Sequence, residues 1–262
     1  MSLRSSKQAS LAWSLVLFIF IIAACAPHVT VNSSYSKTQA STGLVNPPTA
    51  DIVPTIPTSP IVKMEPLAWE KTVLNSPLWS AYIYSVISLE ESQMLNSDAA
   101  LDTDLFCPRF KQLNKSQRLN FWGQLIVGVA KFESGWDPTN RMIETSMGTD
   151  SITGQQIASE GLLQMSYQDV PNWNNICEFD WNFDKAFSIR NPRDPRKTIL
   201  DPYKNLRCGI KIFAKLLKSK QLISFDDGAY WAVLRKTKRN HVSEIADYTK
   251  SLSFCVSPGR TN

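Results

Sequence analysis

The stretch QRLNFWGQLIVGVAKFESGWDP, residues 117 to 138, decides the fold because it predicts a buried helix that ends on a carboxylate. At about 100° per residue, one stripe of this helix carries Leu119, Trp122, Ile126, Val129 and Glu133. Gly135 and Pro138 then indicate the end of the helix, since glycine suits the left-handed residue after a helix and proline cannot continue one. Glu133 is therefore predicted in the last turn, on the face that meets the core.

This position makes Glu133 a candidate general acid. Burial among apolar side chains disfavours the ionised carboxylate, and the negative end of the helix dipole acts in the same direction. Both effects raise the pKa, and a carboxylic acid that stays protonated near neutral pH is what cleavage of a glycosidic bond requires. The stripe alone is also compatible with a structural carboxylate that reaches solvent or pairs with a nearby cation.

The first 24 residues have the pattern of an export signal. Two basic residues precede the apolar run LAWSLVLFIFII, and no acidic residue occurs among them. The run ends in IAAC at residues 22 to 25, which resembles the lipobox of bacterial lipoproteins, whose cysteine becomes the lipidated N-terminus. We therefore predict a lipoprotein signal peptide over residues 1–24 and lipidation of Cys25. An ordinary signal cleaved elsewhere and an uncleaved anchor are the alternatives.

If the protein is exported and lipidated in this way, we expect its lipid anchor to bind a membrane. Ala26, which follows the cysteine, resembles the pattern of lipoproteins sent on to the outer membrane. In a Gram-negative cell the protein is then expected on the periplasmic face of that membrane. Residues 25–62 are rich in Ser, Thr and Pro and predict an extended tether, and residues 63–262 predict one globular domain.

Four cysteines follow Cys25, and in an oxidising compartment they predict two disulfides with three possible pairings. We favour Cys177 with Cys208 and Cys107 with Cys255. The absence of any CxxC spacing and the presence of only two histidines in the sequence argue against zinc and against a histidine-activated nucleophile. Nothing in the sequence indicates a metal or an organic cofactor.

The charge pattern argues against nucleic acid as a partner. The formal net charge is +5, and the one dense basic cluster, RKTKR at residues 235–239, has no interleaved aromatic residues. From about residue 64 the apolar pattern is almost wholly helical. We predict helices near residues 78–95, 115–134, 155–170, 202–220, 226–236 and 242–252, hence a mainly α domain.

Several motifs together resemble one family. Glu133-Ser134 follows an apolar helix, Gly161-Leu162-Leu163-Gln164 lies downstream, and Asp201-Pro202 precedes Asn205 and Gly209. Tyr230, in Gly228-Ala229-Tyr230, stands where the family has its Ala-Tyr-Asn-Ala-Gly segment. In this order, over roughly residues 115–255, the motifs resemble the lytic transglycosylase domain of the soluble-lytic-transglycosylase type, which is related to the goose-type lysozymes.

The resemblance implies a lysozyme-like, mainly helical fold and cleavage of the bond between N-acetylmuramic acid and N-acetylglucosamine in peptidoglycan glycan strands. It implies that Glu133 acts first as general acid and then as base, so that the muramoyl 6-hydroxyl closes on C1 and a 1,6-anhydro sugar forms. The substrate's own acetamido oxygen would stabilise C1. The resemblance also places the substrate against a set of candidate residues: Ser134, Gln164, Met165, Tyr167 and Tyr230. Tyr230 would hold Glu133 or the acetamido group through its hydroxyl.

The sequence departs from the family in ways that leave product chemistry open. Residues 139–158 form a longer loop, a position that is often serine falls on Gln155, and Ser146, Ser151 or Ser159 are the possible replacements. Trp231 and Val233 replace an Asn and a Gly of the third motif. A lysozyme-type reaction would need a second carboxylate to activate water, and the candidates are Glu144, Asp150 and Glu160.

Aromatic and acidic side chains between residues 167 and 184 carry two further expectations. Trp173 and Trp181, with Tyr167, are candidate sugar-stacking aromatics. Asp180 and Asp184 are predicted as helix caps or salt-bridge partners. A protein that binds peptidoglycan and has lost its chemistry remains the alternative to an enzyme, although a binding protein gains nothing from a carboxyl that is costly to bury.

Overall fold

The structure, a computed structural model, describes residues 64–226, 228–236 and 241–256. The predicted signal peptide, Cys25 and the tether lie outside these residues. The described part of the domain is mainly helical and lysozyme-like. Its helices are α1 (Ser76–Glu90), α2 (Thr103–Phe106), α3 (Lys115–Ser134), α4 (Asp169–Asn172), α5 (Trp181–Arg190), α6 (Pro202–Lys220) and α7 (Val242–Lys250). An antiparallel hairpin of β1 (Arg141–Ile143) and β2 (Ala158–Glu160) follows α3.

Helix α3 is the centre of the core, as its sequence predicts. Asn114 accepts a hydrogen bond from the backbone of Gln117 at 2.9 Å, and the Gln117 side chain accepts one from the backbone of Asn114 at 3.0 Å. The helix ends at Ser134, and Gly135 follows in the left-handed conformation with φ 65°. Helices α1 and α7 pack against α3, which places Glu133 in the last turn, at the edge of the core.

The predicted helix over residues 155–170 is wrong. Strand β2 occupies its start, and a tight turn at residues 161–164 folds the chain back so that Glu160 and Met165 pair backbone to backbone. The apolar residues that suggested a helix are buried in this turn, where Leu162, Leu163 and Met165 are each 0% exposed. Burial of a turn therefore produced the same local pattern as a helix face.

The region 226–236 is also not a helix. Only Ala232–Leu234 form a single 3-10 turn there, and residue 227 is not described. Helix α5 was not predicted from the sequence, because it has little apolar periodicity. Asp180 caps α5 by accepting from the backbone of Phe183 at 3.1 Å, as predicted. Asp184 is fully buried and caps a different segment, because it accepts hydrogen bonds from the backbone N–H groups of Thr198 and Ile199 at the start of the 3-10 turn Thr198–Leu200. It also accepts a hydrogen bond from the Tyr167 hydroxyl.

Both favoured disulfides are present, and each connects a different pair of segments. Cys107–Cys255 ties the segment after α2 to the segment after α7, and closes a sequence separation of 148 residues. Cys177–Cys208 ties the segment between α4 and α5 to helix α6 over a separation of 31 residues. Each bond therefore joins parts of the chain that local interactions alone do not hold together.

Reduction of the disulfides is expected to lower the melting temperature. Cross-linking removes conformational entropy from the unfolded chain, and loops of this size correspond to roughly 3–5 kcal/mol each. Because the longer loop loses more entropy, the Cys107→Ser/Cys255→Ser pair variant should melt below the Cys177→Ser/Cys208→Ser pair variant. Calorimetry of both pairs, with and without reductant, measures this. A melting temperature that reductant leaves unchanged contradicts the expectation.

Within the described residues, no helix combines the length and apolar character that crossing a membrane would need.

Candidate active site

A cleft of about 640 Å³ opens beside the end of α3. Its walls come from the end of α3, the β1–β2 hairpin, the turn after β2 and the segment 229–235. This volume is within the usual range for sites that bind small organic groups. Its lining residues include Glu133, Glu144, Ser146, Ser159, Gln164, Ser166, Asp169, Tyr230, Trp231 and Arg235.

Glu133 lies in the cleft with a carboxyl group that is easily protonated. Burial raises its pKa from the usual range to about 7, and the negative charge of Glu144 contributes in the same direction. The positive charge of Arg235 and a hydrogen bond from the backbone N–H of Val233 oppose this rise. The residue is half-buried, so the carboxyl is both partly desolvated and open to the cleft. These are the properties of a general acid near neutral pH.

Glu144 is the second carboxylate of the cleft. It follows β1 directly, and its backbone N–H donates to the carbonyl of Ile157 at 2.8 Å across the hairpin. The hydroxyl of Ser159 donates to its carboxylate at 2.7 Å and fixes the side chain. Of the three serines considered as replacements for the family position, Ser146 and Ser159 line the cleft, and the described lining does not include Ser151 or Gln155.

The other two acids proposed to activate water do not line the cleft. Asp150 is 2% exposed and accepts backbone hydrogen bonds from Ile152 and Thr153, so it holds the hairpin loop. Glu160 is buried and forms an ion pair with Lys197 and a second with Arg141 at 3.5 Å. Both carboxylates are therefore satisfied by the protein, and Glu144 is the one of the three that faces the cleft.

Gln164 reaches the cleft because the turn that carries it is anchored on α6. The Asn205 side chain accepts from the backbone of Leu163 at 2.8 Å and donates to the carbonyl of Glu160 at 3.0 Å. A Cβ at Gly161 would lie 2.3 Å from Asn205, and one at Gly209 would lie 2.4 Å from Leu163. The two glycines thus permit the close approach of turn and helix.

Three residues predicted to bind substrate do not line the cleft. The Ser134 hydroxyl is buried within hydrogen-bonding distance of the carbonyls of Ala130 (3.0 Å) and Leu162 (2.9 Å), so it joins the end of α3 to the turn. Met165 is fully buried in the core. Tyr167 is 3% exposed, and its hydroxyl donates to Asp184 at 2.9 Å. These residues were predicted near the cleft because they lie beside the family motifs in the sequence. In the structure their side chains point into the core.

The remaining aromatic candidates have different positions. Tyr230 lines the cleft as predicted, but its hydroxyl donates to Asp169 at 2.5 Å and is not bonded to Glu133. Trp173 packs against the Tyr230 ring with centroids 6.3 Å apart, and Trp181 packs against Tyr167 at 5.1 Å. Neither tryptophan is among the described lining residues. Trp173 therefore supports a residue of the cleft, and Trp181 supports a residue of the core.

Sequence reasoning missed Asp169, Arg235 and the role of Trp231. The Trp231 indole N–H donates to the carbonyl of Leu163 at 2.9 Å, which fastens the segment 229–235 to the turn. Arg235 donates to the carbonyl of Ala229 and places its positive charge near Glu133. Two signals were present in the sequence: Trp231 departs from the family after Tyr230, and Arg235 belongs to the basic cluster at residues 235–239.

Comparison with known proteins gave a result only at the level of solved structures, since no family model and no curated protein matched. The chain is similar to DslA (Bd0314) in its wild-type form 2, with 27% identity and a TM-score of 0.61 over 74% of this chain and 100% of that chain. Two glutamate-to-glutamine variants of DslA match at 26% identity over the same shares of the two chains. Their TM-scores are 0.61 for the variant at DslA position 154 and 0.58 for the variant at position 143.

The two substituted positions in DslA have the same separation in sequence as the two glutamates of the cleft. The substituted glutamates of DslA lie eleven residues apart, and so do Glu133 and Glu144 in this chain. The structural match over 74% of this chain shows that the fold of the described domain is related to that of DslA.

Proposed function

We propose that this protein cleaves the glycosidic bond between N-acetylmuramic acid and N-acetylglucosamine in peptidoglycan, with Glu133 as the general acid. The observation that carries the proposal is the position of Glu133 in the cleft with its pKa raised to about 7. At neutral pH a substantial fraction of the carboxyl is protonated and can donate to the glycosidic oxygen as its bond to C1 breaks. The resemblance of the motif order to peptidoglycan-cleaving enzymes supports the substrate class.

Two routes can complete the reaction after the bond breaks. In the lytic transglycosylase route, ionised Glu133 takes the proton of the muramoyl 6-hydroxyl, which closes on C1 to give a 1,6-anhydro product. In the lysozyme route, water attacks C1 and loses a proton to a carboxylate, and the product has a reducing end. The sequence by itself favours the first route through its family resemblance.

Glu144 favours the lysozyme route, which we therefore propose as the chemistry of this cleft. Its carboxylate lines the cleft together with Glu133 and is fixed by Ser159, so it can accept the proton of an attacking water while Glu133 donates one to the leaving oxygen. The eleven-residue spacing shared with the DslA variants supports the view that both glutamates matter. The transglycosylase route remains the alternative, and the two products differ by one water.

Mass spectrometry of the muropeptides released from purified peptidoglycan tests both levels of this proposal. Reducing-end products from the wild-type protein, absent with Glu133→Gln, are the expected result. Products lighter by one water would assign the transglycosylase route and leave Glu133 as the acid. No product from the wild-type protein, with retained binding to peptidoglycan, would instead support the binding-protein alternative.

The location of the protein is a further part of the proposal. We propose export by the signal peptide at residues 1–24, lipidation at Cys25 and a tether over residues 25–62 that lets the domain reach glycan strands above the membrane. The sequence pattern supports this arrangement. Metabolic labelling with a fatty acid, with Cys25→Ser as the control, measures it.

The rate of cleavage is expected to fall as the pH rises through about 7, because Glu133 must be protonated to act. Arg235 lowers this pKa, so Arg235→Gln should move the falling limb of the pH profile to higher pH. Arg235→Lys keeps the positive charge and is the matched control. A limb that stays in place in Arg235→Gln would mean that another group governs it.

A further inference from the structure

A buried hydrogen-bond network lies at the wall of the cleft and is not used by the mechanism above. Asp169 is 4% exposed, and one of its carboxylate oxygens accepts three hydrogen bonds. The donors are the Tyr230 hydroxyl at 2.5 Å, the Ser166 backbone N–H at 2.7 Å and the Ser166 hydroxyl at 3.3 Å. A buried carboxylate with this set of donors is held in one orientation.

The network fixes the direction of the single proton that Tyr230 carries. A phenol has one O–H donor, and in this structure it points to Asp169. The lone pairs of the phenolic oxygen are therefore the part of the hydroxyl left for other partners. Tyr230 and Glu133 line the same cleft, so this oxygen offers an acceptor rather than a donor to a group bound beside the acid.

We propose that Asp169 is a positioning residue that turns Tyr230 into a fixed hydrogen-bond acceptor for an O–H or N–H group of the amino sugar bound against Glu133. This inference rests on the proposed glycan cleavage. The acceptor holds the sugar in register with the acid, so that the glycosidic oxygen meets the Glu133 proton. Without Asp169 the phenol can rotate its proton into the cleft, where it opposes a donor of the sugar.

The same chain contains a second buried tyrosine–aspartate pair that serves as an internal comparison. The Tyr167 hydroxyl donates to Asp184 at 2.9 Å, and both residues are buried. Neither belongs to the described lining of the cleft. The chemistry of the two pairs is alike, but only the pair of Asp169 and Tyr230 meets the cleft, so an effect on substrate should separate them.

A double-mutant cycle of kcat/KM tests the proposal. Tyr230→Phe removes the acceptor and should lower kcat/KM by about tenfold, the effect of one lost hydrogen bond to substrate. Asp169→Asn keeps the shape of the side chain but weakens its hold on the phenol proton, and should also lower kcat/KM. Because Asp169 acts through Tyr230, adding Asp169→Asn to Tyr230→Phe should cause no further loss.

The control cycle pairs Asp184→Asn with Tyr230→Phe, and there the two effects should multiply. Multiplying effects of Asp169→Asn and Tyr230→Phe would overturn the proposal. A wild-type value of kcat/KM in Tyr230→Phe alone would also overturn the proposal. This variant leaves both Ser166 hydrogen bonds to Asp169 in place, so the test can still be made if Asp169→Asn does not fold. If the wild-type protein releases no product, the proposed function fails, and that outcome is distinct from either of these.

Discussion

Replacing Glu133 with glutamine is expected to lower the rate of glycan cleavage by about 10²–10⁴-fold, the usual contribution of a general acid. Glutamine has the same shape but no acidic proton to give to the leaving oxygen. The measurement is the release of soluble muropeptides from peptidoglycan at equal protein concentration. Activity near that of the wild type would mean that the acid is another residue.

The same substitution is expected to leave the fold intact and to stabilise it at high pH. Burial raises the pKa of Glu133 from 4.5 in the unfolded chain to about 7 in the folded domain, so the folded state binds more protons between these values. The contribution of Glu133 to stability is therefore full below about pH 4.5 and is lost as the pH rises through about 7. Glu133→Gln removes this loss, so at pH 8 the variant should melt a few degrees above the wild type. A variant that melts lower at pH 8 would contradict this sign.

Glu144→Gln is the second substitution with a large expected effect. If Glu144 accepts the proton of water, its loss should lower the rate by about 10²–10⁴-fold while the mass of the residual product stays that of a hydrolysis product. Glutamine can still accept the hydrogen bond from Ser159, so the hairpin should keep its local structure. Ser159→Ala is the matched control, because it removes the hydrogen bond and leaves the carboxylate.

The transglycosylase route predicts a different result for the same variant. Without a water-activating role, Glu144 acts on the reaction only through its charge, which raises the pKa of Glu133. Glu144→Gln would then retain most of the activity, and the falling limb of the pH profile would move to lower pH. Residual activity and product mass, measured on this one variant, thus separate the two routes, whereas the shift of the pH profile is expected in both.

The parts of the site that could be predicted from sequence are those that local interactions define. The period of apolar residues placed α3, Gly135 marked its end, and the rise in the pKa of Glu133 followed from its position on the buried stripe. The start of α6 was equally readable, because Asp201 caps its own helix before Pro202. These features need only residues within a few positions of one another.

The cleft itself depends on contacts between distant segments. Three acids were predicted from the sequence as possible partners of Glu133. Only the packing of the hairpin shows that Glu144 faces the cleft. In the same packing Glu160 is paired with Lys197, and Asp150 holds a loop. Met165 and Tyr167 follow a cleft residue directly in sequence, yet the turn at residues 161–164 directs both side chains into the core.

The sequence by itself therefore determined a mainly helical domain, the central helix and the carboxyl at its end, because helix periodicity and capping are short-range properties of the chain. The tertiary structure alone decided which of the three candidate acids shares the cleft with Glu133 and which way the hydroxyl of Tyr230 points. Glu133 and Glu144 are 11 positions apart and Asp169 and Tyr230 are 61 positions apart, and such distances in space are fixed only when the core packs.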